Sequence, residues 1–472
     1  MRRDASRRWL AAIIFLFIWS LTTHGKYSAS GDEPHYLIIT HSIVVDHDID
    51  LLNNYNADDG RLFGHGGLPM GLHALPAKTG QTISIHDMGL AVFLVPIYVV
   101  AREVAGVTSE ALLRRFRMDR GLFTYSIVGL FLIGMTTWGM VLLARGLDAL
   151  ADARAVTWLV LIAAISPPIL SHAFLVFPEV TALFVTAAVV WFSLKPDAPD
   201  DTSALRLLAV ALGALPWTHH KYLLYVPGLV FVMLWHRWPL IRGLSTRNAA
   251  AALALFLVPQ IGLHVWTWYE WGTLGGALTT DGAPFSMAAL KAGAVGLWID
   301  RQSGLLAYAP IYWLLPACVA LTWKRSWPFL VPAVLLYLPA AAFVIGWWAG
   351  FAPAARYLVP AMPLLLVPMA AALRHKQIRW TLSGIAVLQL VLDATLWQHP
   401  RNLWPATEGN PALEALGIPG RIYERFLPAI QQSDVGTSSL IVGLALAFIT
   451  AAHVLLVRRS VARRRGRPAA TL

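Results

Sequence analysis

Two adjacent carboxylates follow the first long apolar run of the chain, in Gly31-Asp32-Glu33-Pro34-His35-Tyr36. A carboxylate at the edge of a low-dielectric slab is costly unless paired or used, and one facing a substrate hydroxyl can take its proton as a general base. Asp32 ahead of Pro34 would equally serve as a helix cap. Cations with complementary chemistry come much later. Trp217-Thr218-His219-His220-Lys221-Tyr222 lies between two short apolar stretches, where a lysine either finds an anion such as a phosphate or snorkels to the interface. Arg356, followed by Tyr357, offers a planar fork that suits bidentate contact with phosphate or a structural pair with an acid. A departing phosphate needs such cations, because its negative charge grows as the bond breaks.

Other polar clusters read differently. Asp46-His47-Asp48-Ile49-Asp50 with Asn53-Asn54-Tyr55 carries hard oxygen ligands, but without calcium-loop spacing it reads as a solvated polar turn. His65, His73 and His86 are too irregularly spaced for a zinc motif. Asp300-Arg301 is either an acceptor-side or phosphate-side element or a local ion pair. Trp266, Trp268, Trp271, Trp347 and Trp348 read first as an interfacial belt, although a sugar ring would stack on the same residues.

The elements that must position these residues are membrane helices. Of 472 residues 57% are hydrophobic and 13% charged, against roughly 25% charged in a soluble domain. The apolar residues come in blocks of bilayer-spanning length, which satisfy their backbone only as helices. The predicted fold is all-α and polytopic, with twelve spans near 9–23, 118–144, 155–170, 178–194, 205–216, 222–236, 249–268, 304–322, 327–346, 356–373, 379–396 and 438–457. The segment 88–107, apolar but broken by Pro96, is placed along the outer interface or re-entrant. With that choice most Lys and Arg fall on the cytoplasmic side, including the tail Arg458 to Arg467, in agreement with the positive-inside rule. Arg114, Arg115, Arg117 and Arg120 then face lipid head groups from outside.

Long external loops follow at 24–117, 269–303 and 397–437, longer than idle connections usually are. The chain divides into a transmembrane domain over 1–396, containing the 24–117 loop with its juxtamembrane helices, the 397–437 loop, and a last span with basic tail over 438–472. The net charge of +11 sits at the ends of spans, which argues for membrane topology and against nucleic acid. Cys318 lies in an apolar span and can form no intrachain disulfide. The first span reads as a retained anchor, with Ser28-Ala29-Ser30 only a weak cleavage signal.

The first helix followed at once by Asp-Glu in a large external loop resembles the GT-C superfamily of glycosyltransferases, which includes protein O-mannosyltransferases and the aminoarabinose transferases of lipid A. Ser84-Ile85-His86-Asp87-Met88-Gly89 looks like the segment before the juxtamembrane helix in bacterial relatives. Ser166-Pro167-Pro168 with Ser171-His172 and Phe177-Pro178-Glu179 looks like the second external loop. Gly346-Trp347-Trp348 through Arg356-Tyr357-Leu358 and Pro360 to Pro363 looks like the family's Trp-rich loop. The likeness runs over most of 9–373, and the acidic pair is its most specific part.

The resemblance implies an enzyme of an inner (plasma) membrane that moves a sugar, with inversion, from a polyprenyl-phosphate carrier to a lipid, glycan or protein acceptor on the extracytoplasmic side. Asp32 would be the base and Glu33 would orient it or the acceptor. Glu179 would shape the site or hold a metal, its other reading being an interfacial helix cap. His35, Tyr36, His86, His219, His220, Lys221, Arg301, Arg356 and Tyr357 would bind substrate. Some relatives use a divalent cation, Mg or Mn, and others none. A transporter or flippase of lipid-linked or amphipathic solutes is the competing class, and it predicts related halves and several mid-bilayer charges.

Overall fold

The computed structural model describes residues 2–24, 29–71, 73–196, 201–277, 286–342, 346–404, 409–432 and 437–465. Ser28 and the end of the basic tail lie outside them. Helices form where apolar runs are long enough to bond their own backbone: α1 (Arg2–Thr22), α2 (Glu33–Val45), α3 (Gly89–Val107), α4 (Arg120–Leu147), α5 (Ala153–Ala164), α6 (Pro178–Leu194), α7 (Asp201–Thr218), α8 (Tyr222–Arg242), α9 (Thr246–Trp271), α10 (Met287–Ile299), α11 (Leu315–Ala342), α12 (Met362–Ala372), α13 (Lys376–Gln398) and α14 (Thr437–Arg465). The strands among the described residues are a short antiparallel hairpin in the first loop, β1 (Ala74–Pro76) and β2 (Thr82–Ser84). Among the described residues six helices are long and apolar enough to cross a bilayer, and the chain is an α-helical, polytopic membrane protein.

Burial sorts the helices. Nearly every side chain of α6 is buried, so it forms the centre of the bundle, packed chiefly on α4. By contrast α9 exposes Leu253, Val258, Ile261 and Val265, an apolar face that hydrocarbon would cover. At one end of the bundle, Arg7 donates to Asp148 (2.5 Å) and Thr157 (2.9 Å), and Asp201 pairs with both Lys195 and Arg237. The carboxylates and cations singled out as chemical gather at the other end, called here the site end.

Length and composition would let α3 span a membrane, and its first turn packs at the site end. Gly89 abuts Trp217 at the end of α7, where an added Cβ would come 2.4 Å from the Trp217 carbonyl carbon. Phe93 meets Phe131 (5.9 Å between ring centroids), and Tyr98 meets Phe63 (6.4 Å). Leu62, next to Phe63, presses against Gly121 in the first turn of α4. So α3 runs antiparallel to the opening turns of α4, alongside a helix of spanning length.

Three predicted boundaries change. The spans 304–322 and 327–346 form one helical segment, α11, preceded by the short turns Leu305–Tyr308 and Pro310–Leu314. Lys324-Arg325 carries no glycine to close a helix, and the helical backbone continues through it and past Pro328. The span 155–170 stops at Ala164, ahead of Pro167-Pro168. The 269–303 loop contains α10, too short at 13 residues to register as a span. Gly293 and Gly296 let α10 press on Ala341 and on the Trp347 ring, and Trp347 is thereby buried instead of joining an interfacial belt. Trp268 does stay exposed.

Candidate active site

Asp32 ends the turn that precedes α2, and its side chain is 27% exposed. Arg356 Nη1 donates to Asp32 Oδ2 (2.8 Å), while Arg356 Nε donates to Glu179 Oε1 (3.0 Å). Lys221 Nζ donates to the same Glu179 oxygen (2.6 Å). Four residues from four distant parts of the chain thus form an alternating row: Asp32, Arg356, Glu179, Lys221. Aromatic rings hold the cations in place: the Arg356 guanidinium lies 3.9 Å from the Phe177 ring centroid, and Lys221 lies 4.9 Å from that of Tyr357. Buried charges survive only when paired in this way.

Electrostatics sort the two neighbouring acids. Burial pushes Asp32 toward its neutral form, but Arg356, helped by His86 and His73, outweighs it and holds the carboxyl well below the usual range. Burial raises Glu33 to about 7, since no cation faces it. Instead Glu33 accepts from the Val176 N–H (2.8 Å), the Tyr125 hydroxyl (2.9 Å) and the Ser30 N–H (3.0 Å). It therefore does not orient Asp32 directly or face an acceptor; it ties the first loop to α4 and to the turn before α6. Glu33→Ala would orphan those donors, each costing about 1–3 kcal/mol when left unmade. The variant is expected to melt several degrees lower in detergent by differential scanning fluorimetry.

The histidines fall into two groups. His35 is buried, hydrogen-bonded to Tyr55 Oη (2.6 Å) and stacked on His73 at 3.6 Å. His73 Nδ1 lies 2.9 Å from His86 Nε2, and each ring has a nitrogen within 4.8 Å of an Asp32 carboxylate oxygen. Tyr36 is buried with its ring 5.1 Å from His86. On the other side, Asp87 binds the His220 ring and accepts from the His220 N–H (2.7 Å), which clamps the turn carrying Lys221. His219 Nδ1 accepts from the Lys221 N–H (3.2 Å). Burial lowers the Lys221 ammonium against the opposing pull of Glu179.

No protein-family model and no curated protein matches the chain. Among solved structures it is similar to ArnT from Cupriavidus metallidurans, crystallised with bound undecaprenyl phosphate. The identity is 15%, over 95% of this chain and 72% of that one, with a TM-score of 0.47. The chemistry of the site is read from its own geometry.

Of the residues singled out from sequence, Asp32, His35, Tyr36, His86, Glu179, His219, His220, Lys221, Arg356 and Tyr357 come together. Arg301 does not. Its N–H donates to Pro428 O (3.0 Å), its side chain pairs with Glu424 (3.3 Å), and Asn410 donates to its carbonyl (2.6 Å). Asp300 caps the N–H groups of Gln302, Ser303 and Gln431. The pair therefore fastens the 397–437 loop to the bundle. Asp46 accepts from Asn53 and Asn54, and Asp50 from the Leu52 and Thr82 N–H groups, which spends that cluster on a local turn. His73, Phe177, Asp87 and Tyr125 belong to the site or its support and carried no spacing signal of their own.

A cavity of about 380 Å³ lies between α10, α11, α12 and α14. Its walls are almost wholly apolar and include Trp298, Val319, Tyr337 and Leu446. Leu358, two residues beyond Arg356, also lines it.

Proposed function

We propose that this protein is a glycosyltransferase of an inner (plasma) membrane that moves a sugar from a polyprenyl-phosphate carrier to a lipid, glycan or protein acceptor on the extracytoplasmic side. One observation carries the reading: a solvent-reachable carboxylate, a buried arginine and a mostly buried lysine share one row at the end of a helix bundle. The cations of the row match a phosphate, and the apolar cavity to which Leu358 contributes matches part of a prenyl chain.

The reaction follows from the row. The donor phosphate takes Arg356 and Lys221 as counter-ions, competing with Asp32 and Glu179 for them. Freed from Arg356, Asp32 becomes a stronger base and takes the proton of the acceptor hydroxyl. The acceptor oxygen bonds to the anomeric carbon as the bond from that carbon to the phosphate oxygen breaks. The lipid phosphate leaves with the electron pair, steadied by the two cations, and attack from the opposite face inverts the anomeric centre.

The transporter reading gains no support from the one acid buried well inside α13. Asp393 accepts from Ser166 (2.6 Å) and Gln389 (2.9 Å), a locked contact between helices and not a step in a path.

The test uses full-length protein in nanodiscs. Native mass spectrometry is expected to retain undecaprenyl phosphate at least tenfold over undecaprenol. Equal retention of the two would remove the phosphate role of the cations and the proposal with it.

A further inference from the structure

We infer that Asp32, His73 and His86 form a binding site for one divalent transition-metal ion of the zinc class. One ligand atom from each residue lies within 4.8 Å of the other two. Zinc sits about 2.0–2.2 Å from nitrogen and carboxylate ligands, so an ion at the centre of this triangle reaches all three with small side-chain adjustments. The two ring nitrogens that face each other at 2.9 Å would part slightly to admit it. All three residues are partly exposed, which leaves a coordination position open toward solvent.

The scaffold around the triangle is rigid. His73 and His86 flank the β1–β2 hairpin, in which Ala74 pairs with Ser84. Ile85 N–H donates to His73 O (3.0 Å), the Ser84 hydroxyl donates to the same carbonyl (3.2 Å), and His86 N–H donates to Ser84 Oγ (3.0 Å). His35 stacks on the His73 ring and is itself fixed by Tyr55. Supports of this kind aim metal ligands. Arg356 occupies Asp32 Oδ2, and a carboxylate has a second oxygen to offer.

Ligand chemistry selects the ion. Two imidazoles with one carboxylate favour zinc, cobalt or nickel over magnesium and calcium, which want oxygen shells. The row Asp32, Arg356, Glu179, Lys221 is formally neutral, so a bound ion leaves a net positive patch; if the donor reading holds, a lipid phosphate would offset it. The site itself does not depend on that reading.

The experiment uses full-length protein without a polyhistidine tag, stripped with chelator and dialysed against Zn²⁺ or Co²⁺. Elemental analysis is expected to find one metal per chain in the wild type, a visible absorption band in the Co²⁺ form, and no loss of Zn²⁺ to excess Mg²⁺. His73→Ala and His86→Ala should each lower occupancy at least tenfold, while His65→Ala should not. Because a histidine variant can fail to fold, X-ray absorption of Zn²⁺-loaded wild type provides an independent arm. It should report two imidazoles and an oxygen ligand. Absence of stoichiometric metal in the wild type, a shell without imidazole, or full occupancy in both variants overturns the site. None of these readouts uses sugar transfer, so failure here and failure of the glycosyltransferase reading are separable.

Discussion

Asp32→Asn is expected to lower sugar transfer by about 10²–10⁴-fold, with little change in the amount of folded protein. Asparagine keeps the size of the side chain and an oxygen for Arg356, but it cannot accept the acceptor's proton. The measurement is transfer from radiolabelled undecaprenyl-phosphate sugar in membranes with matched protein levels. Retention of wild-type transfer would take the base role away from Asp32. The adjacent acid gives a sharp control, because Glu33 is fully buried and engaged with backbone N–H groups. Its loss should show in stability, whereas the loss of Asp32 should show in turnover.

Arg356 is the second position with a large effect, and there two effects must be told apart. Arg356→Ala removes the cation that joins Asp32 to Glu179, leaving Lys221, among the described residues, as the ion-pair partner of a buried acid. Breaking a buried pair from one side costs about 3–5 kcal/mol, so this variant is expected to be recovered poorly. Arg356→Lys keeps the charge and loses the fork that serves two carboxylates at once. It is expected to fold, to melt slightly lower, and to bind undecaprenyl phosphate at least tenfold more weakly by native mass spectrometry. Unchanged lipid binding in a folded Arg356→Lys protein would make the residue structural only.

The fold class was legible because hydrocarbon imposes a length and a composition on every helix that crosses it. The orientation of 88–107 was not legible: the basic residues argue for an interfacial helix, whereas the segment forms a continuous apolar helix of spanning length packed along α4. Nor was the long helix α11, since a Lys-Arg pair between apolar runs looks the same whether or not the backbone stays helical through it. At the site, Asp32, Lys221 and Arg356 stood out because a charge at membrane depth needs a reason. Glu33 stood out for the same reason and has a different role; sequence does not say which of two adjacent side chains turns inward. His73 was noticed and set aside, because the hairpin that brings it to His86 is three residues per strand, and a link of that length sets no recognisable interval between ligands.

The placement of α3 has one further consequence. Its outward side shows Val92, Phe93, Val99, Val100, Val104 and Val107, an apolar strip that hydrocarbon would cover. Its first turn lies against Trp217 and follows closely on His86, one of the rings grouped with Asp32. A lipid-facing helix is thus joined mechanically to the polar cluster, and a change of bilayer thickness that tilts α3 would be felt there.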